Sequence, residues 1–275
     1  MNILIAAALL FQHGFENYEA LASNLTSGNI SNNTLKAMQI ATSVGIFILP
    51  AFLFAYLKGE SAFSYLKLSF KPSFKILLIS IPIVIVAAPF MAAMLELNQN
   101  ITFPSYLSGF EQYLKDTEAA NESVLKRLLI MNTPADFMLN LFMVAVIPAI
   151  GEELFFRGCL QQVLVDLYRN IHIAVIMSAI IFSFIHFQFY GFLPRMILGI
   201  IFSYLLVWTG NIWYSILAHF LHNGLQVTLL YMFQQKIIDY DIEATQAVSP
   251  VMALVSVIAL FYLLAIFRKK SGSIV

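Results

Sequence analysis

The sequence predicts an all-α, polytopic membrane protein, a bundle of about seven to eight transmembrane helices. Of its 275 residues, 60% are hydrophobic and only 11% are charged, whereas a soluble globular chain is roughly half apolar and a quarter charged. The apolar residues also fall in runs close to the ~20 that a helix needs to cross a bilayer core. Polar and helix-breaking residues lie between those runs.

Seven segments approach or meet the required length: about 38–57, 76–95, 135–168, 172–189, 194–209, 212–233 and 250–267. Segment 3–12 is a shorter eighth candidate. With no basic start and no clear cleavage site, it does not read as a removable signal. Lys58-Gly59-Glu60 ends the first run and Lys71-Pro72 precedes the second. Thr133-Pro134 opens the third, with proline where a helix start tolerates it. Gly191 and Pro194 separate the fourth from the fifth, Thr209-Gly210-Asn211 forms a turn, and Ser249-Pro250 opens the last. Residues 96–133 are the longest polar stretch and are expected to form an interfacial helix plus loop. The whole is one membrane domain in three parts. Residues 1–134 give the N-terminal spans and polar loop, 135–233 a helical core, and 234–275 the last span and a basic tail.

Lys+Arg and Asp+Glu balance at 15 each, so there is no basic surplus for a nucleic-acid partner. The partner is the lipid bilayer. A single cysteine, Cys159, permits neither an internal disulfide nor a cysteine metal ribbon. Lys58, Lys67, Lys71 and Lys75 share one loop, and Arg268, Lys269 and Lys270 the tail, whereas 234–249 has one lysine and several acids. Alternating spans put the first two groups on one side, which the positive-inside rule makes cytoplasmic. A bacterial chain of this kind belongs in the cell membrane.

Charged side chains inside a span are costly and usually line a cavity or mark a site. Three clusters break the apolar pattern. In Gly151-Glu152-Glu153-Leu154-Phe155-Phe156-Arg157, Glu153 and Arg157 are four apart, share a helix face and can pair. Glu152 points about 100° away and is left for chemistry. The bland alternative is a mutually satisfied ion network. Phe182-Ser183-Phe184-Ile185-His186 ends an apolar run with a histidine, which on its own could be an interfacial residue. In His219-Phe220-Leu221-His222-Asn223, His219 and Asn223 share a face and His222 lies at its edge. These three could equally bond a neighbouring helix.

Depth links the clusters. With an antiparallel turn at Arg169–Asn170, residues whose numbers sum to about 338 lie level, as Glu152 and His186 do. Carried through the later turns, that layer passes within about a turn and a half of His219 and Asn223, at roughly 1.5 Å of rise per residue. The layer holds a carboxylate, two or three imidazoles and an amide. A desolvated carboxylate can act as a base, a histidine can orient its water, and an imidazole with an amide can donate to an oxyanion. The same Glu and His side chains could instead hold zinc with an open position. There is no HExxH, no Gly-x-Gly-Asp with a partner aspartate, and no Gly-x-Ser on a span with a suitable histidine.

Glu152-Glu153-x-x-x-Arg157, Phe182-x-x-x-His186 and His219-x-x-x-Asn223 resemble, in order, the three motifs of the CPBP intramembrane proteases. That family includes type II CAAX prenyl endopeptidases and bacterial bacteriocin-processing and immunity proteins. The resemblance spans about residues 135–230. It implies a membrane endopeptidase in which Glu152 and His186 activate water while His219 and Asn223 bind the oxyanion. Glu153 and Arg157, with Phe182 and His222, would support them. Its substrate would be a membrane-associated peptide or a lipidated protein. The family is often labelled metalloprotease. A divalent metal such as zinc on Glu152, His186 and His219 is therefore the second mechanism, although His219 with Asn223 makes a better donor pair than a zinc pair. Loop charges place the turn 190–194 on the extracytoplasmic side, whereas CAAX substrates are cytosolic. The competing expectation is a non-catalytic immunity, scaffold or transport protein with the same polar cavity.

Overall fold

The computed structural model describes residues 31–59, 61–69, 71–239 and 248–272. The short segment 3–12 lies outside them. Among the described residues the chain forms nine helices and no strand. They are α1 (Asn32–Leu57), α2 (Ala62–Tyr65), α3 (Phe74–Gln99), α4 (Ser108–Leu128), α5 (Pro134–Tyr168), α6 (Ile171–Phe184), α7 (Phe192–Thr209), α8 (Trp213–Gln234) and α9 (Pro250–Ser271). A single 3-10 turn, Phe189–Gly191, joins α6 to α7.

Five stretches are long and apolar enough to cross a membrane: α1, α3, α5, Phe189–Thr209 with α7, and α9. The two other expected spans form helices that fall short of that standard for different reasons. Helix α6 is apolar but has only 14 residues, because the helix stops at Phe184 and not near 189. Helix α8 has 22 residues but carries His219, His222, Asn223 and Gln226, which dilute its apolar character. In the polar stretch the expected helix is present as α4, which turns Asn121, Val124 and Leu128 inward.

Prolines shape the long helices. A proline gives no N–H to the carbonyl four residues back. In α1 and α5 a π turn precedes the proline: Val44–Ile48 before Pro50, and Phe142–Val146 before Pro148. A second π stretch, Glu153–Leu160, follows directly. In α3, Ser256 of α9 inserts its hydroxyl just beyond Pro89. It accepts from the Phe90 N–H at 3.1 Å and donates to the Val86 carbonyl. Such a hydroxyl satisfies groups that no water could reach inside a bilayer.

The helices pack around two apolar cores. One joins α3, α7, α8 and α9 through Ile83, Ala87, Phe202, Leu205, Tyr214 and Leu260. The other joins α1, α2, α5, α7 and α8 through Ala55, Leu66, Leu154, Leu206 and Ile212. The outer face of α9 leaves Leu254, Ile258, Phe261 and Tyr262 exposed, as a surface in contact with hydrocarbon would. Thr133 and Asp136 form a reciprocal cap at the start of α5, which fixes where the helix bearing the first motif begins.

Candidate active site

Helices α5 and α6 run antiparallel, and Phe156 meets Phe182 edge to face at 5.1 Å. Their numbers sum to 338, the register that the depth argument assumed. Close approach of α7 is possible because Gly199 has no side chain: a Cβ there would lie 3.1 Å from Ala179 Cβ and 3.3 Å from the Phe182 ring. Phe182 is thus surrounded by Arg157, His186, His219 and Phe156.

Glu153 and Arg157 pair at 2.8 Å, and both are fully buried. The pair is part of a larger network. Arg157 also donates to the Gly199 carbonyl at 3.1 Å and to Ser203 Oγ at 3.4 Å, and its guanidinium lies over the Phe182 ring. The Glu153 oxygen that accepts from Arg157 also lies 2.8 Å from His219 Nδ1. A carboxylate only accepts, so Nδ1 carries the proton. The His219 ring stacks on Phe202 with an interplanar angle of 22°. Held in this way, His219 turns Nε2 toward Glu152 Oε2 at 3.9 Å. Glu152 side-chain exposure is 13% against zero for Glu153, so Glu152 is the more accessible of the two glutamates.

His186 lies just past the end of α6. Its Nδ1 is 2.7 Å from the Phe182 carbonyl, and a carbonyl only accepts. Nδ1 is therefore the donor and Nε2 presents a lone pair. The next residue, Phe187, has φ of +50°, a left-handed conformation that costs a bulky residue energy. Asn223 donates through Nδ2 to the Val144 carbonyl at 3.0 Å. That carbonyl lies four residues before Pro148, so Asn223 replaces the missing backbone donor. His222 turns aside to accept from Gln226 Nε2 at 2.7 Å.

Among the described residues the imidazole within 4 Å of Glu152 is that of His219; His186 meets the cluster through Phe182. Among the described residues no three of His, Cys, Asp and Glu converge to hold a metal ion. Glu152, His186 and His219 do not form such a group, and one Glu153 oxygen is already taken by Arg157 and His219.

Three nearby residues lie outside the three motifs. Asn98 at the end of α3 donates to the Phe189 carbonyl at 3.0 Å and accepts from the Leu193 N–H at 2.7 Å. Glu118 of α4 accepts from the Tyr190 N–H at 3.1 Å, and its burial raises the carboxyl above its ordinary value of 4.5. Arg195 donates to Gln188 Oε1 at 2.7 Å. Together they pin the segment that leads from His186 into α7. Arg195 was visible as a lone charge in the 194–209 run; the other two lie in the polar stretch and carry no motif.

Fold and site together define a polytopic helical membrane protein with a carboxylate–imidazole cluster enclosed by its helices. Residues 134–225 match the family model described as type II CAAX prenyl endopeptidase Rce1-like. The match bears out the resemblance to the CPBP proteases over a segment that holds every motif residue. No curated protein and no solved structure matches the chain.

Proposed function

We propose that this chain is an intramembrane endopeptidase that hydrolyses a peptide bond of a membrane-associated protein or peptide with a Glu152-activated water. The observation that carries the reading is Glu152 Oε2 lying 3.9 Å from His219 Nε2 while Glu153 grips the other nitrogen of that ring. A nucleophile's base and an oxyanion donor thus sit side by side, and a third group fixes the donor's orientation.

In this mechanism a water donates one proton toward Glu152 and the other toward the His186 Nε2 lone pair, which aims its oxygen at the scissile carbonyl. Glu152 takes the proton as the bond forms. His219 Nε2, when protonated, donates to the developing oxyanion. The second N–H of Asn223, the one not given to Val144, can join it. The proton on Glu152 then passes to the leaving amine. The family description suggests a CAAX-type substrate, one near the C-terminus of a lipidated protein.

Cleavage of a membrane-anchored reporter by purified protein tests this. Glu152→Gln should reduce the rate by at least about a hundredfold, since general-base assistance contributes roughly 10²–10⁴, while thermal stability in detergent persists. Cleavage should also survive exhaustive chelation. A Glu152→Gln protein that still cuts at the wild-type rate would refute the reading.

A further inference from the structure

Two arginines lie close to the candidate site, and their surroundings differ. Arg157 is saturated, with a carboxylate, a carbonyl, a hydroxyl and the Phe182 ring around it. Arg195 is not. Its guanidinium rests against Gly191, where a Cβ would come within 2.9 Å of Nη2 and 3.8 Å of Nη1. Nη2 is used by Gln188. Nη1 is buried and has no hydrogen-bond partner. Its charge interacts with Glu152, His186 and Glu118, yet among the described residues no carboxylate lies within ion-pair distance of it.

A buried guanidinium with an idle N–H is costly unless a partner arrives. The groups around Arg195 hold it in place without satisfying it. Gln188 is a neutral acceptor, Asn98 bonds the Phe189 carbonyl and the Leu193 N–H, and one Glu118 oxygen accepts from the Tyr190 N–H. The free donor lies in the first turn of α7, which the segment from His186 leads into, so an anion bound there would stand at a set distance from the reacting carboxylate. Guanidinium matches a carboxylate through two parallel N–H bonds.

We propose that Arg195 is a specificity-determining subsite that binds a carboxylate of the peptide substrate, either its free C-terminus or an acidic side chain. This rests on the endopeptidase reading above.

The test uses N-terminally acylated peptide libraries in detergent micelles with the full-length protein. Each library is made as the C-terminal acid and as the amide, and products are read by mass spectrometry. Wild type should cut the acids at least about tenfold faster than the amides in kcat/KM, as loss of a buried charge partner implies. Arg195→Gln should bring that ratio to within about threefold of one, whatever its absolute rate, and Arg195→Lys should give an intermediate ratio. If instead amides containing a glutamate are cut as fast as acids, and only in an Arg195-dependent manner, the carboxylate is a side chain. Equal wild-type rates on acids, amides and Glu-containing peptides would overturn the proposal, as would an Arg195→Gln ratio unchanged from wild type. Wild-type protein that cuts neither library would overturn the endopeptidase reading, and the carboxylate subsite with it.

Discussion

Glu153 Oε1 lies 2.8 Å from His219 Nδ1 and 2.8 Å from Arg157 Nη1, so one oxygen fixes both the tautomer of the imidazole and the position of the arginine. Every group in this arrangement is buried. The Glu153 side chain therefore decides which His219 nitrogen faces Glu152.

Replacing Glu153 with glutamine should be costly in two separable ways. Arg157 loses its counter-charge while still buried, which destabilises by about 3–5 kcal/mol. His219 loses its grip and its orientation, so cleavage by the folded fraction should fall by about a hundredfold or more. Thermal melts and active-fraction rates in detergent read the two effects independently. Full activity in the folded fraction would rule out the orienting role.

Asn223 serves a carbonyl that a proline has left without its helical partner. Asn223→Ala should cost about 1–3 kcal/mol, the usual penalty for an unpaired buried acceptor. Pro148→Ala restores an N–H four residues beyond Val144, so it should recover part of that loss in the double variant. The interaction energy of the cycle is the measurement. Purely additive single-variant effects would contradict this role for Asn223.

Gly151, next to the candidate base, packs against the π turn of α1. A Cβ there would lie 3.1 Å from Ile48 Cγ1 and 3.2 Å from Phe47 Cβ. Gly151→Ala should destabilise by about 1–3 kcal/mol through overpacking and move Glu152 enough to lower the rate about tenfold or more. Ile48→Ala in the same chain should relieve part of both effects. No relief would place the strain elsewhere.

Glu118 predicts a pH dependence. Burial raises its carboxyl above the ordinary 4.5, against the lowering effects of the Tyr190 N–H and Arg195. The folded state therefore binds its proton more tightly than the unfolded state does. This favours folding at pH below 4.5, and the advantage is lost as pH climbs through the raised value. Glu118→Gln removes the titration and keeps an acceptor for Tyr190. The difference in melting temperature, wild type minus variant, should fall as pH rises from about 4.5 and then level off. A difference that rises with pH would show the opposite sign of coupling.

Much of the architecture was legible because intramembrane charge is conspicuous. Glu152, Arg157 and His219 stand out against apolar neighbours, and the antiparallel register that sets Glu152 level with His186 is the one in which Phe156 meets Phe182. The relation of Glu152 to the two imidazoles was less legible. A helical wheel assumes a uniform 100° per residue, and the π stretches at Phe142–Val146 and Glu153–Leu160 break that assumption. The early end of α6 was also hidden, since no proline or glycine stands between Phe184 and His186. Arg195 shows a third limit. One cation in an apolar run does not reveal whether it reaches water, pairs, or waits for a ligand.

The π turn before Pro148 has a consequence for how this helix could have arisen or be redesigned. One surplus residue in a helix rotates everything beyond it by about 100° relative to regular winding. Rewinding Phe142–Val146 as ordinary helix without shortening the chain would rotate the two adjacent glutamates off their present bearings together, and change which side chain looks into the space beside His219. Deleting one residue there would straighten the helix and leave them in place. Winding and sequence length in that five-residue stretch thus act together as a selector between neighbouring acids: rewinding at constant length exchanges their bearings, and rewinding with a one-residue deletion preserves them.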